Sequence, residues 1–280
     1  MAEPFPGGES DRMRSRSLLL WATALLITLV SAAYQRMTGP TYPVRGRVLV
    51  GSQELKFKLQ RSHENPGDAE IAVSALDPKM FGTYEYRRYP SSDAWTTKPL
   101  ERKVDLLIAR LPGQAAAGKI SYRIFIGSAG IEPVPLTSEP LILRFKDYVP
   151  LIPVLIPHIA LMFVGMLCST RAGFEALARG GGTRVLALWT AVLIFAGGLV
   201  LGPVVQKFAF GAYWTGWPVG NDLTDNKTAL ALIFWVIALW RLRKNPDERG
   251  WVMAAAVVTL IVFAIPHSVL GSQLDYTKGP

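Results

Sequence analysis

The chain predicts a membrane all-α helical bundle of about five spans with an inserted extracytoplasmic all-β, immunoglobulin-like sandwich. Half of its 280 residues are hydrophobic, and they gather in five runs, most of them near the length of roughly 17 to 22 residues that crosses a bilayer, the fourth being short unless Thr228 and Leu242 are included. Between the first two runs the pattern changes to strict alternation of apolar and polar residues, the period of a half-buried strand. Arginines and lysines concentrate in alternate connections between the runs, which sets their sidedness.

Residues 1–17 carry Arg12, Arg14 and Arg16 and are expected to form a cytoplasmic tail. Residues 18–34 form the first span, an anchor or a signal sequence: Ser31-Ala32-Ala33 resembles a signal peptidase site. The apolar run nevertheless continues to Tyr34, near spanning length, which favours an uncleaved anchor. Either choice puts Gln35 onward outside.

Residues 39–147 are the expected sandwich. Leu55 to Gln60 alternates strictly, as do Ile120 to Ile126 and Leu141 to Phe145. With Val44 to Val50, Ile71 to Leu76, Thr83 to Tyr89 and Val104 to Arg110 this makes about seven short strands separated by Pro, Gly and Asn-rich turns, the layout of an immunoglobulin-like domain. Arg87, Arg88, Lys98, Arg102 and Lys103 form a basic cluster, read as a solvated face.

Residues 149–268 are expected to form a four-helix transmembrane module, with runs at Val149 to Cys168, Val185 to Val205, Ala229 to Trp240 and Trp251 to Pro266. Arg171, Arg179 and Arg184 lie in one connection, and Arg241, Arg243, Lys244 and Arg249 in another. Both are therefore cytoplasmic, and the loop between them in sequence, Gln206 to Lys227, is external. Residues 269–280 become an external tail. The net charge of +9 is thus a topological signal, and no nucleic acid partner is expected. The layout suits a multi-pass protein of the cell membrane, specifically a bacterial inner membrane, whose partners are the lipid bilayer and other membrane or extracytoplasmic proteins. The single cysteine, Cys168, excludes an intrachain disulfide, and the absence of Cys-x-x-Cys-His excludes the usual covalent heme attachment.

Two of the three histidines fall at the outer face of this arrangement. His158 lies about nine residues, roughly 13 Å, inside the second span, and His267 ends the fifth. An ionisable side chain within a span faces a bundle interior or a cavity, which makes His158 a candidate site residue. Met162 and Met166 follow it on the same helix face. Between the third and fourth spans runs Phe208 to Thr228, in which Tyr213, Trp214 and Trp217 stand among three glycines and a proline. Asp222 or Thr224 is expected to cap the fourth span, leaving one of Asp222 and Asp225 available to a ligand. Gly198 and Gly202 permit close approach of a neighbouring helix.

Phe210-Gly211-Ala212-Tyr213-Trp214-Thr215-Gly216-Trp217, with Asp222 beyond it, resembles the tryptophan-rich WWD signature of the heme-handling membrane proteins of cytochrome c maturation. Phe210 stands where that signature has tryptophan, and Trp217-Pro218 stands where it has Trp-Asp. The resemblance implies an external aromatic platform of Tyr213, Trp214 and Trp217, with His158 and His267 as axial ligands to heme b. If a bare transition metal is bound instead, His158, His267, Asp222 and Asp225 supply a mixed nitrogen and oxygen set. The whole-chain layout also resembles uncharacterised bacterial membrane proteins. The expected function is heme or metal binding in cytochrome assembly or electron transfer. The alternative is a non-catalytic scaffold or accessory subunit that docks a partner through the sandwich. No Gly-x-Ser-x-Gly, His-Glu-x-x-His or phosphate loop is present, so no reaction is assigned.

Overall fold

The computed structural model describes residues 7–267, 269 and 271–277. Residues 1–6 of the expected amino-terminal tail and residues 278–280 of the expected carboxyl-terminal tail lie outside that description. The chain divides into two compact units: a helical one from Met1–Thr38, Pro150–Val205 and Tyr213–Leu270, and a sheet one from Gly39–Val149, Gln206–Ala212 and Gly271–Pro280.

The helices are α1 (Gly7–Thr38), α2 (Ile156–Leu177), α3 (Thr183–Ile194), α4 (Gly202–Phe210), α5 (Leu223–Lys244) and α6 (Gly250–Ala264). A π-helical turn, Leu151–Leu155, leads into α2, and a second, Phe195–Leu201, joins α3 to α4. Among the described residues, four segments can cross a membrane by length and composition: Arg14–Thr38, Leu151–Leu177, Thr183–Phe210 and Leu223–Lys244. The last begins six residues before its apolar run, because Asp222 accepts a hydrogen bond from Thr224 N and starts the helix there. α6 is apolar but has 15 residues, about 22 Å at the α-helical rise against a hydrocarbon core of about 30 Å.

The unit is apolar outside and small or polar within, as expected where lipid replaces water. Leu25, Leu26, Val30, Leu188, Trp189, Val192 and Ile233 are exposed, whereas Ala172, Ala176, Ala187, Ala238, Ala255, Thr190 and Thr259 are buried between helices. Trp235, fully buried, donates its indole N–H to Thr259 Oγ1 at 2.8 Å. Arg171, with its head group over the Trp21 ring, pairs with Glu175 at 2.6 Å, and Glu175 also accepts from Gly182 N. Arg249 reaches Gly180 O at 3.1 Å, so the two arginine-rich connections meet at one end of the bundle.

Among its described residues the sheet unit has eleven strands: β1 (Val44–Val50), β2 (Gln53–Leu59), β3 (Ser62–Glu64), β4 (Ala69–Ser74), β5 (Met80–Arg88), β6 (Thr96–Pro99), β7 (Glu101–Lys103), β8 (Leu106–Leu111), β9 (Lys119–Ser128), β10 (Ile131–Pro135) and β11 (Leu141–Lys146). The seven expected strands all recur among them. They pair as a β1-β2 ribbon, a β4-β8-β7 sheet and a β3-β11-β9-β5-β6 sheet in which β10 also joins β9. All pairs are antiparallel except β3 with β11. Alternate residues Leu55, Phe57, Leu59, Ile71 and Val73 meet Ile120, Tyr122, Ile124, Leu143 and Phe145 in one core. Within it the Tyr122 hydroxyl donates to Gln60 O at 2.6 Å, and burial pushes its pKa well above the ordinary phenol value.

The basic cluster is engaged within this unit. Arg88 pairs with Asp93, Arg87 and Arg123 lie over Trp95, and Arg102 donates to Ala75 O, Asp77 O and Met80 O. Residues 271–277, expected as an external tail, run along the sheet unit: Leu274 N donates to Ala117 O, Lys119 Nζ to Gln273 Oε1 and the Tyr276 hydroxyl to Gln114 Oε1. Truncation after Leu270 is therefore expected to lower the unfolding midpoint of the sheet unit, because it uncovers Lys119, now buried. An unchanged midpoint on thermal denaturation would show these contacts to be incidental.

Candidate functional site

The aromatic loop is built around two carboxylates. Asp225 Oδ2 accepts from Thr215 N at 2.8 Å and Gly216 N at 3.0 Å, and Asn226 Oδ1 accepts from Trp217 N at 2.7 Å. Asp222 caps α5 through Oδ1 and takes the Thr215 hydroxyl on Oδ2 at 3.1 Å. Gly216 is required by this packing, since a Cβ there would stand 2.6 Å from Asn226 Oδ1 and 2.7 Å from Asp225 Cβ. Both carboxylates are 8% exposed. Neither is left over for a ligand, contrary to the expectation that capping would occupy only one. The loop amides, which would otherwise be orphaned, claim the second.

The rings of that loop point elsewhere. Trp214 Nε1 donates to Trp217 O at 3.1 Å, while Tyr213 is exposed and Trp217 is 75% exposed. No ring of this loop borders the cavity that holds the histidines.

That cavity, of about 350 Å³, lies in the helical unit at the end opposite the arginine-rich connections. The carboxyl-terminal turns of α1 and α6 and the amino-terminal turns of α2 and α5 surround it. His158 and His267 both border it, as the sequence predicts. Its apolar wall comes chiefly from Ile159, Met162, Phe163, Met166, Val262 and Phe263, and its volume falls in the range of small-molecule sites.

The π-helical turn orients His158. Gly197 O accepts the Gly202 amide five residues on and also lies 2.9 Å from His158 Nδ1. A carbonyl can only accept, so Nδ1 carries the proton and Nε2 is left bare, able to accept a hydrogen bond or bind a metal. Metal-binding histidines are usually held in this way. A Cβ on Gly198 would stand 2.4 Å from Thr228 Cγ2, so this glycine lets α5 close on the π-helical turn. Gly198→Val is expected to destabilise the helical unit by about 1–3 kcal/mol through overpacking, read as a lower unfolding midpoint in detergent. A midpoint within error of the parent would contradict this close approach.

Two residues that sequence reasoning passed over complete the site. Lys227, 5% exposed, donates to Ile265 O at 2.5 Å, and Gln35 Nε2 donates to Phe263 O at 2.5 Å. Both serve carbonyls left open where α6 ends. Lys227 recurs at helical spacing with the buried Thr228 and Ala231 on α5, a pattern that points its stem inward. Asp222 lies within electrostatic reach of Lys227 and His267. Among the described residues, no group of three or more His, Cys, Asp and Glu side chains is placed to hold a metal ion. The set His158, His267, Asp222 and Asp225 is therefore not assembled as one ligand sphere, because the carboxylates are engaged with the loop. No protein-family model matches the chain, and no curated protein matches it.

Proposed function

We propose that the protein is a multi-pass cell-membrane protein that binds heme b in the cavity between His158 and His267, serving cytochrome assembly or electron transfer on the outer face of a bacterial inner membrane. The observation that carries this reading is the pairing of both histidines on one cavity with His158 Nε2 kept bare by the Gly197 carbonyl. The apolar wall suits a macrocycle, and the two imidazoles suit its iron. Bound heme would supply a one-electron centre; the residues themselves orient it and exclude water. Tyr213 and Trp217 then act as interfacial aromatics at the membrane surface.

The topology belongs to the same proposal: cytoplasmic amino terminus, five spans counting α6, and the sheet unit outside as an immunoglobulin-like sandwich. The arginine-rich end of the bundle and the shared core of the sheets support it. In a Cys168→Ser background, a cysteine at exposed Ser92 should react with an impermeant reagent from outside and one at exposed Gly181 should not. The reverse pattern would overturn the orientation.

The heme reading is tested by purifying the protein in mild detergent and recording its visible spectrum with metal analysis. A Soret band with stoichiometric iron is expected. Colourless protein that leaves the Soret band of added hemin as it is in detergent alone would refute it, and a fixed copurifying protein would then favour a scaffold.

A further inference from the structure

The cavity is polar at one end and apolar at the other. Gln35 and Arg36 in the last turn of α1, His158 and Lys227 in the first turns of α2 and α5, and His267 just beyond the end of α6 stand at the polar end. From His158 the wall runs along α2 through Met162 to Met166, about 12 Å deeper at the helical rise, against Phe163 and Val262. Among the described residues, no carboxylate borders the space, whereas the cationic side chains of Arg36 and Lys227 do.

Lys227 is the unusual member. Its ammonium is buried, yet its one hydrogen bond among the described residues goes to the neutral Ile265 carbonyl. An ammonium carries three N–H donors, so the anchored head group retains donors for a further acceptor. Asp222 lies close enough to offset part of its charge, but that carboxylate also caps α5 and takes the Thr215 hydroxyl. A buried cation at the polar end of an apolar cavity is the arrangement that recognises an amphipathic acid.

We propose that Lys227 selects the ligand by its carboxylates: the porphyrin enters with its propionates toward Lys227 at the polar end and its apolar edge toward Met166. This inference rests on the heme reading above. Once the acid group is seated, Lys227 fixes which edge of the macrocycle faces the membrane surface.

The test compares hemin with hemin dimethyl ester, in which both propionates are esterified, by Soret titration of the full-length protein. Wild type should bind hemin about tenfold more tightly than the ester, the effect of one charge-assisted contact. Lys227→Met should bind both alike, and Lys227→Arg should keep the preference. Equal affinity of wild type for the two compounds would overturn the role of Lys227 and leave the heme reading standing. A wild type that binds neither would overturn both. Equal affinity in the wild type overturns the role even if Lys227→Met fails to fold, and Arg36→Met, which should keep the preference for the acid, separates Lys227 from the second cation at the cavity.

Discussion

Asp225→Ala is expected to lower the stability of the helical unit by about 3–6 kcal/mol, since it deletes two hydrogen bonds from backbone amides to a buried charge, each of about 1.5–3 kcal/mol. Those amides, Thr215 N and Gly216 N, have the Asp225 carboxylate as their acceptor. The substitution also removes a negative charge from the first turn of α5, which the helix dipole favours. Asp225→Asn keeps one acceptor oxygen and should cost less. The unfolding midpoint in detergent reads the loss, and proteolysis within 211–222 should become fast. A protease-resistant loop with an unchanged midpoint would mean that something other than Asp225 holds it.

The second large effect falls on binding. His158→Ala is expected to weaken hemin binding at least ~100-fold, because loss of even an outer-shell partner of a metal ligand typically costs 10–100-fold. The Gly197 carbonyl still accepts the Gly202 amide, so the π-helical turn should persist and the fold with it. Met162→Leu, on the same cavity wall, keeps the volume and should change affinity little. A Soret titration of the three proteins separates the cases. Equal losses in His158→Ala and Met162→Leu would point to a general loosening of the cavity rather than a lost ligand.

The large elements were legible in the sequence because their signals are strong: apolar runs for the helices, and period-two alternation for β2, β9 and β11. The strands that escaped, β3, β6, β7 and β10, are three to five residues long and lack that alternation. They exist because longer neighbours offer them an edge. At the site, convergence of His158 and His267 followed from topology alone. Asp222 and Asp225 were misjudged because a carboxylate beside a helix start can serve a cap, a loop or a ligand with the same residue spacing; here Asp222 takes the cap and the Thr215 hydroxyl, and loop amides take Asp225. Lys227 and Gln35 read as boundary charge and polarity, and their roles depend on where α6 ends and opens its carbonyls.

The central claim, that His158 and His267 together hold the iron of one heme, is tested most directly by the spin state of hemin-loaded protein. Electron paramagnetic resonance of the wild type should show a low-spin, six-coordinate ferric centre. His158→Gly and His267→Gly should each turn high-spin and return to low-spin on addition of imidazole, which can occupy the vacated position. A low-spin signal that persists unchanged in both variants would contradict the account.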